Sequence, residues 1–191
     1  MVYDDSDMKI ADTEQISGTL ACENEAADTA ELLGREKANG NLGRARRLGA
    51  ILAEEVSSSD GEHAPDDSKV ASATQRRILL AFAAEIGMEE LLPSSLLAET
   101  AQSVFYETMR KTAAAFFEDL QDSGAFSFYR LNICDKRIQW DSEAAFARAG
   151  ETYASLCGHA EEEALAAGGE KLYSEFVEQV KYFTNGMEFV K

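Results

Sequence analysis

The chain contains little of three residue types that usually give a sequence its chemistry or its helix breaks. Among 191 residues there are only two prolines, two histidines and three cysteines. Scarce proline leaves long stretches without the residue that most strongly ends helices. Three separated cysteines cannot build the dense disulfide framework of a small secreted domain, so we expect reduced thiols. Two histidines leave little material for nucleophilic catalysis; we assign no catalytic residue and favour a non-enzymatic protein.

Long hydrophobic runs are also missing. The longest strongly apolar run, residues 78–84, is far shorter than the ~20 residues that a membrane-spanning helix needs. Asp4, Asp5 and Asp7 stand near the start of the sequence, where a secretory signal peptide would have a basic stretch and an apolar run. We therefore expect a cytoplasmic protein with no membrane association.

Positive charge is scarce as well. The sequence has 18 basic and 35 acidic side chains, a formal net charge of −17. Broad basic faces that hold nucleic acid or anionic lipid are therefore not expected. Carboxylates along helices can also imitate phosphates, so an acidic nucleic-acid-mimic inhibitor is one alternative function. The even spread of the charge favours a simpler role in solubility.

Apolar residues recur every three or four positions through much of the chain, a pattern that predicts amphipathic helices. The longest pattern lies near residues 94–122, where Ser94 or Ser95 is placed to cap a long central helix. Residues 126–133 fit either a short helix or a strand, and the helical context favours a helix. We predict an all-α fold, an irregular helical bundle of about six to eight helices.

Serines and glycines predict several helix boundaries. Asp141 or Ser142 is placed to cap the helix that follows it. Gly87 is assigned to the end of one helix, and the last helix is predicted to follow Gly168 and Gly169. Glycine weakens helix interiors and is favoured just after the last turn, which is the basis of these assignments.

Composition divides the chain into three parts. Residues 57–68 are rich in Ser, Gly, Pro and Asp, which is typical of an exposed linker loop. Residues 1–56 are predicted to form an acidic N-terminal helical arm that packs on the core or on a second subunit. Residues 69–191 are predicted to form the helical core domain.

A basic stretch with three glycines, residues 40–49, is the first candidate site. Backbone N–H groups at a helix N-terminus, together with guanidinium groups, hold phosphates in many proteins. The stretch lacks the Gly-Lys-Ser/Thr ending of a phosphate-binding loop, and ion pairs with nearby carboxylates are the simpler interpretation. The candidate anion-binding residues are Arg44, Arg46 and Arg47.

Aromatic and guanidinium side chains form the second candidate site. They are Tyr129, Arg130, Trp140 and Arg148. Such groups line many small-molecule pockets, although core packing and surface ion pairing are their usual roles. The alternative function is therefore a small-molecule-binding helical regulator or enzyme with an inter-helix pocket.

Metal and cofactor sites are not predicted. Cys157 and His159 are two positions apart, so within one helix they point in nearly opposite directions, and further ligands are missing nearby. Neither histidine has the Glu-x-x-His spacing of a di-iron bundle. We expect no metal ion and no cofactor.

Seven aromatic residues form a cluster within residues 105–129: Phe105, Tyr106, Phe116, Phe117, Phe126, Phe128 and Tyr129. Phe105 with Tyr106, and Phe116 with Phe117, are adjacent pairs that one helix face cannot bury together. Such a helix is either surrounded within a monomer or contributes to a subunit interface, where aromatics are enriched. We predict a non-enzymatic α-helical interaction or regulatory protein that acts through helix faces as a homodimer. Its expected partners are another protein or a second copy, and no nucleic acid.

Overall fold

The computed structural model describes residues 28–58, 67–122, 124–134 and 138–190, with side chains described from residue 73 onward in the third helix and not at residue 122. These residues form eight helices and contain no strand, which confirms the predicted all-α bundle and the helical assignment of residues 126–133. In chain order the helices are α1 (residues 28–38), α2 (Asn41–Ser58), α3 (Asp67–Leu91), α4 (Ser95–Thr112), α5 (Ala114–Asp122), α6 (Ala125–Ile133), α7 (Glu143–Leu156) and α8 (Glu163–Gly186).

Two compact units divide the chain, Met1–Gly40 and Asn41–Lys191. This boundary differs from the predicted linker at residues 57–68, because α2 packs against α4 within the second unit. Residues 59–66 of that linker and residues 1–27 of the predicted arm lie outside the described residues. The assignment of an N-terminal arm stays a prediction.

Serine side chains cap the starts of α4 and α7, as predicted. The Ser94 hydroxyl accepts a hydrogen bond from the Leu97 N–H at 3.4 Å, and the Ser142 hydroxyl accepts one from the Ala145 N–H at 3.3 Å. Each bond satisfies a backbone donor that a helix start leaves unpaired. The predicted long helix is present as α4 followed by α5, because Ala113 leaves the helical conformation with φ −143° and ψ 55°.

Three glycines predicted at helix boundaries lie inside helices instead. Gly87 is within α3, and Gly168 and Gly169 are within α8. A Cβ at Gly87 would overlap a methyl group of Val180, and one at Gly169 would lie 2.7 Å from Tyr153 Cδ1. These boundary predictions were wrong because Gly87 and Gly169 admit a neighbouring helix rather than end their own.

The pairs α2/α4 and α7/α8 make very close backbone contacts. A Cβ at Gly49 of α2 would overlap the carbonyl oxygen of Ala101 in α4. A Cβ at Gly150 of α7 would likewise overlap the carbonyl oxygen of Ala166 in α8. α3 packs against all four of these helices and carries a run of fully or almost fully buried side chains, residues 78–84. The core of the second unit is therefore built around α3.

Aromatic packing attaches α6 to α3. The Tyr129 ring stacks on Phe82 with centroids 5.2 Å apart, and Phe126 meets Phe82 edge-on at 5.8 Å. The buried residues of α6 are Ala125, Tyr129 and Ile133, spaced four positions apart. Because residues at this spacing share one helix face, the opposite side of α6 is turned away from the core.

The C-terminal segment is held at the start of α2. The fully buried Asn41 donates from Nδ2 to the Val190 carbonyl oxygen at 2.7 Å, and its Oδ1 accepts from the Val190 N–H at 3.0 Å. One side-chain amide thus satisfies both backbone groups of one residue, as a neighbouring strand would. Met187 and Phe189 pack against the core next to this pair of bonds.

Candidate functional site

Tyr129 of α6 points into the protein core. The residue is fully buried, and its ring lies on Phe82. Its hydroxyl has no hydrogen-bond partner among the described residues. Burial raises the pKa of the phenol well above its ordinary value. The first of the four predicted ligand residues is therefore placed as a core residue.

Arg130, the next residue, joins α6 to two carboxylates of α3. Its guanidinium donates to Glu85 Oε1 and Glu89 Oε1, both at 2.6 Å. The Tyr106 hydroxyl of α4 donates to the other oxygen of Glu85, and Gln102 Nε2 donates to Glu89 Oε1 at 3.2 Å. Side chains of three helices thus form one polar network, which we call the Glu85 network.

The surroundings of Glu85 and Arg130 in the Glu85 network raise the pKa of each side chain. Burial raises the pKa of Glu85 above its ordinary value, although the hydrogen bond and charge of Arg130 act in the opposite direction. Hydrogen bonds to Glu89 and Glu85 raise the pKa of Arg130, which stays charged. The network therefore joins side chains of α3, α4 and α6 around the Arg130 guanidinium.

Trp140 and Arg148 line two different cavities. A cavity of about 500 Å³ is lined by Ile86, Glu90, Cys134, Ile138, Gln139, Trp140 and Asp141. A smaller one of about 240 Å³ is lined by Asn132, Arg148, Glu151, Thr152 and Ser155. Arg148 also donates to the Asn132 carbonyl oxygen at 3.0 Å, near the end of α6. The four predicted ligand residues thus occupy a core position, the Glu85 network and two separate cavities.

The predicted anion-binding arginines lie on the first half of α2. Arg44 donates to Asn41 Oδ1 at 3.2 Å, and Arg47 is exposed. Arg46 lines a cavity of about 560 Å³ that also contains the carboxylates Glu99 and Glu107. Carboxylates so close to Arg46 compete with an anionic ligand. Anion binding at this helix stays a prediction.

Cysteines and potential metal ligands are dispersed in the part of the chain that the structure describes. No three His, Cys, Asp or Glu side chains lie together there as metal ligands would. Cys134 and Cys157 are free thiols, and burial raises the pKa of each. Because the thiolate is the reactive form, a raised pKa makes both weak nucleophiles at neutral pH.

An apolar groove lies between α4, α5 and α6. Its volume is about 460 Å³, and we call it the aromatic groove. Phe117 lies half-buried in its wall, with its ring centroid 6.3 Å from that of Tyr106. The lining residues are Tyr106, Phe117, Leu120, Gln121, Gly124, Phe126 and Ser127. The groove thus presents aromatic rings with a few polar groups at its edge.

Beside the aromatic groove, α6 exposes two large apolar side chains. Phe128 is 55% exposed and Leu131 is 80% exposed. They are three positions apart and therefore neighbours on one helix face. Ser127 lines the groove and Leu131 lies one turn after it, so Leu131 borders the groove, while Phe128 lies on the far side of Leu131 around the helix. Together, the aromatic groove, Phe128 and Leu131 make up what we call the α5–α6 surface.

Sequence reasoning identified the aromatic cluster, Phe128 included, but did not predict that Phe128 and Leu131 are exposed. The helix periodicity contains the signal: once Ala125, Tyr129 and Ile133 are assigned to the buried face, Phe128 and Leu131 fall outside it. The prediction of a continuous helix near residues 94–122 hid the groove, because the groove depends on the break between α4 and α5.

The α5–α6 surface and its surroundings are the features of the molecule that bear on function. Within the described residues, no helix is both long and apolar enough to cross a membrane. Isolated exposed apolar residues are common on proteins, whereas large contiguous apolar patches are uncommon and mark contact sites in many proteins. No protein-family model, curated protein or solved structure matches the chain.

Proposed function

We propose that the protein is a non-enzymatic helical interaction protein that docks a protein partner on the α5–α6 surface. The observation that carries this proposal is the exposure of Leu131, with Phe128 beside it, one helical turn after the groove-lining Ser127. Exposed apolar area is costly in water, and contiguous apolar patches mark protein contacts. Tyr129 and Ile133 fix α6 on the core, so the surface is preformed and little ordering is needed on binding.

A homodimer, as predicted from the sequence, is one form of this proposal. Phe105 and Phe116 are buried within the chain, whereas Phe117 lies half-buried in the aromatic groove. Of the aromatic pairs that indicated an interface, Phe105 and Phe116 are therefore not available for one, whereas Phe117 in the groove is. The small-molecule alternative would use the cavity beside Trp140, and the acidic-mimic alternative would use dispersed charge; both stay predictions.

Photo-crosslinking from the α5–α6 surface tests the proposal. A photoreactive phenylalanine analogue is placed at Phe128 or, as a matched control, at Tyr182, which is 75% exposed on α8. We expect a protein adduct from position 128 in cells that express the protein naturally, and none from position 182. An adduct of twice 20.9 kDa identifies a second copy. Equal yields from the two positions, or no adduct from position 128, contradict the proposal.

A further inference from the structure

We infer that the α5–α6 surface binds a basic amphipathic helix of a partner protein. This inference rests on the proposed function and adds the chemistry of the partner. The aromatic groove supplies the apolar seat, and Leu131, with Phe128 beside it, continues the apolar surface along α6. The charges around the groove indicate which sign of charge the partner should carry.

The shape of the surface fits a helix. Helix-in-groove recognition uses apolar side chains spaced three and four positions apart, which enter a hydrophobic groove on the receptor. The aromatic groove lies between α4, α5 and α6, and Tyr106, Phe117 and Phe126 contribute aromatic rings to its lining. Most backbone N–H and carbonyl groups of an incoming helix are already hydrogen-bonded within that helix. Such a partner therefore needs few polar contacts from the aromatic groove.

Carboxylates outnumber cations on the helices around the aromatic groove. The carboxylates are Glu85 and Glu89 on α3 and Glu118 and Asp119 on α5. Arg130 is already bonded to both α3 carboxylates, and Glu107 pairs with Lys111 at 2.6 Å. Arg110, one turn after Tyr106, is the remaining cation of this part of α4. Arg77 also lies near α5, with its guanidinium 4.3 Å from the centre of the Phe116 ring. The four carboxylates thus exceed the three arginines Arg77, Arg110 and Arg130 by one, and this negative charge would attract lysine and arginine side chains of a partner.

A second copy of the chain is the weaker occupant on the same grounds. Each copy carries a net charge of −17, so two copies repel one another at every separation below the screening length. Stable dimers bury about 1,200–2,000 Å² in total. α6 has nine residues and exposes only two large apolar side chains, so it offers a short contact. A basic helix gains from the field that a second copy must overcome.

A designed peptide tests this inference on the full chain. The probe is a fluorescein-labelled 18-residue helix (about five turns) of leucine and lysine, with leucines at helical spacing on one face. Two matched probes are a peptide with glutamate in place of lysine and a scrambled leucine–lysine peptide without an apolar face. Fluorescence anisotropy reports binding. We expect the basic amphipathic peptide to bind about tenfold or more tightly than either matched probe.

Surface variants locate the binding. The double variant Phe128→Ser/Leu131→Ser should weaken binding of the basic peptide about tenfold, whereas Tyr182→Ser on α8 should leave it unchanged. The charge-reversed variant Glu118→Lys/Asp119→Lys should weaken the basic peptide and strengthen the acidic one. Thermal melts followed by circular dichroism confirm that each variant is folded.

The outcomes separate this inference from the proposed function. Equal binding of the basic and acidic peptides, both lost in Phe128→Ser/Leu131→Ser, overturns the charge inference and leaves the docking surface supported. A dimer in light scattering that Leu131→Ser dissociates, without peptide binding, replaces the basic helix by a second copy. Binding that the scrambled peptide shares and Phe128→Ser/Leu131→Ser does not affect overturns the inference, because it reflects general attraction to an acidic protein. If no peptide binds and no dimer forms, both this inference and the proposed function are overturned.

Discussion

The helix pairs α2/α4 and α7/α8 differ from the α5–α6 surface in how their contacts are completed. In the pairs, Gly49 lies against Ala101 and Gly150 lies against Ala166 so closely that a single added methyl group would overlap backbone. On the α5–α6 surface, a groove of about 460 Å³ stays open beside side chains that face solvent. Contacts within the chain therefore fill the interfaces of the two helix pairs, whereas the α5–α6 surface stays open to a binding partner.

This difference separates residues that stabilise the fold from residues that are free to bind. A backbone contact through glycine tolerates no added volume, because the neighbouring backbone has to move. An exposed apolar side chain contributes little to folding, since it stays in water in the folded chain. Substitutions in the two regions should therefore have opposite consequences for stability and for binding.

The largest expected effect is in the closely packed region. Gly49→Ala should lower the free energy of unfolding by about 3 kcal/mol, because the new Cβ meets the Ala101 carbonyl oxygen. Gly43→Ala, in the same helix with open space around it, should raise it by about 0.5–1 kcal/mol through helix propensity. Urea denaturation of the two variants measures both changes. Equal shifts in the two variants would mean that α2 and α4 are not in close backbone contact.

The next effect concerns the C-terminal segment. Asn41→Ala should lower the free energy of unfolding by about 2 kcal/mol, because it removes both hydrogen bonds to the Val190 backbone. Asn185→Ala, at an exposed position on α8, is the control and should change stability by less than about 0.5 kcal/mol. Hydrogen exchange of the Val190 amide gives an independent readout, with faster exchange expected only in Asn41→Ala.

A smaller and pH-dependent effect is expected from the Glu85 network, which borders the α5–α6 surface. Burial raises the folded-state pKa of Glu85 above the unfolded value of 4.5, so its contribution is fully present below about pH 4.5 and is lost as the pH rises through the raised pKa. Glu85→Gln does not titrate. Relative to the original chain, it should therefore become progressively more stable as the pH rises from about 4.5 through the raised pKa of Glu85.

Glu107→Gln is the matched control for this pH dependence. The hydrogen bond from Lys111 lowers the pKa of Glu107, so its contribution is present at neutral pH and lost as the pH falls through the lowered pKa. The stability difference between Glu107→Gln and the original chain should therefore change with the opposite sign. The same sign in both variants would contradict the burial of Glu85. Thermal melts across the pH series provide the measurement.

The smallest expected effect on stability is at the exposed pair. Phe128→Ser and Leu131→Ser should each change the free energy of unfolding by less than about 1 kcal/mol, because both side chains are largely solvated in the folded chain. Denaturant melts of the two variants test this expectation. A loss as large as that of Gly49→Ala would show that these residues belong to the core, which would remove the main support for a docking surface.

Helix content and capping could be predicted from the sequence, whereas the role of individual glycines could not. Ser94 and Ser142 cap helices through bonds to residues three positions away, so a local pattern contains the whole interaction. Gly87 and Gly169 were assigned to helix boundaries, but each sits where a distant helix approaches, and no local pattern records that approach. Long-range packing decides which function a glycine has.

The candidate site shows the same limit. The type of residue was informative, because the aromatic cluster does contain Phe117 and Phe126 of the groove. Its arrangement was not, since Tyr129 and Arg130 are adjacent in sequence but lie in the core and in an ion-pair network. The exposure of Leu131 follows from helix periodicity once the buried face of α6 is known, and the packing of α6 on α3 determines that face.

Hydrogen–deuterium exchange with the basic amphipathic peptide tests the central claim most directly, because it locates the contact on the full chain. At saturating peptide, we predict added protection in α5 and α6, around Phe117 and from Phe126 to Leu131, with exchange in α2, α7 and α8 largely unchanged. The same protection should be absent in Phe128→Ser/Leu131→Ser. Protection that instead spreads over helices outside the α5–α6 surface, or that appears equally in the double variant, would contradict a docking site on that surface.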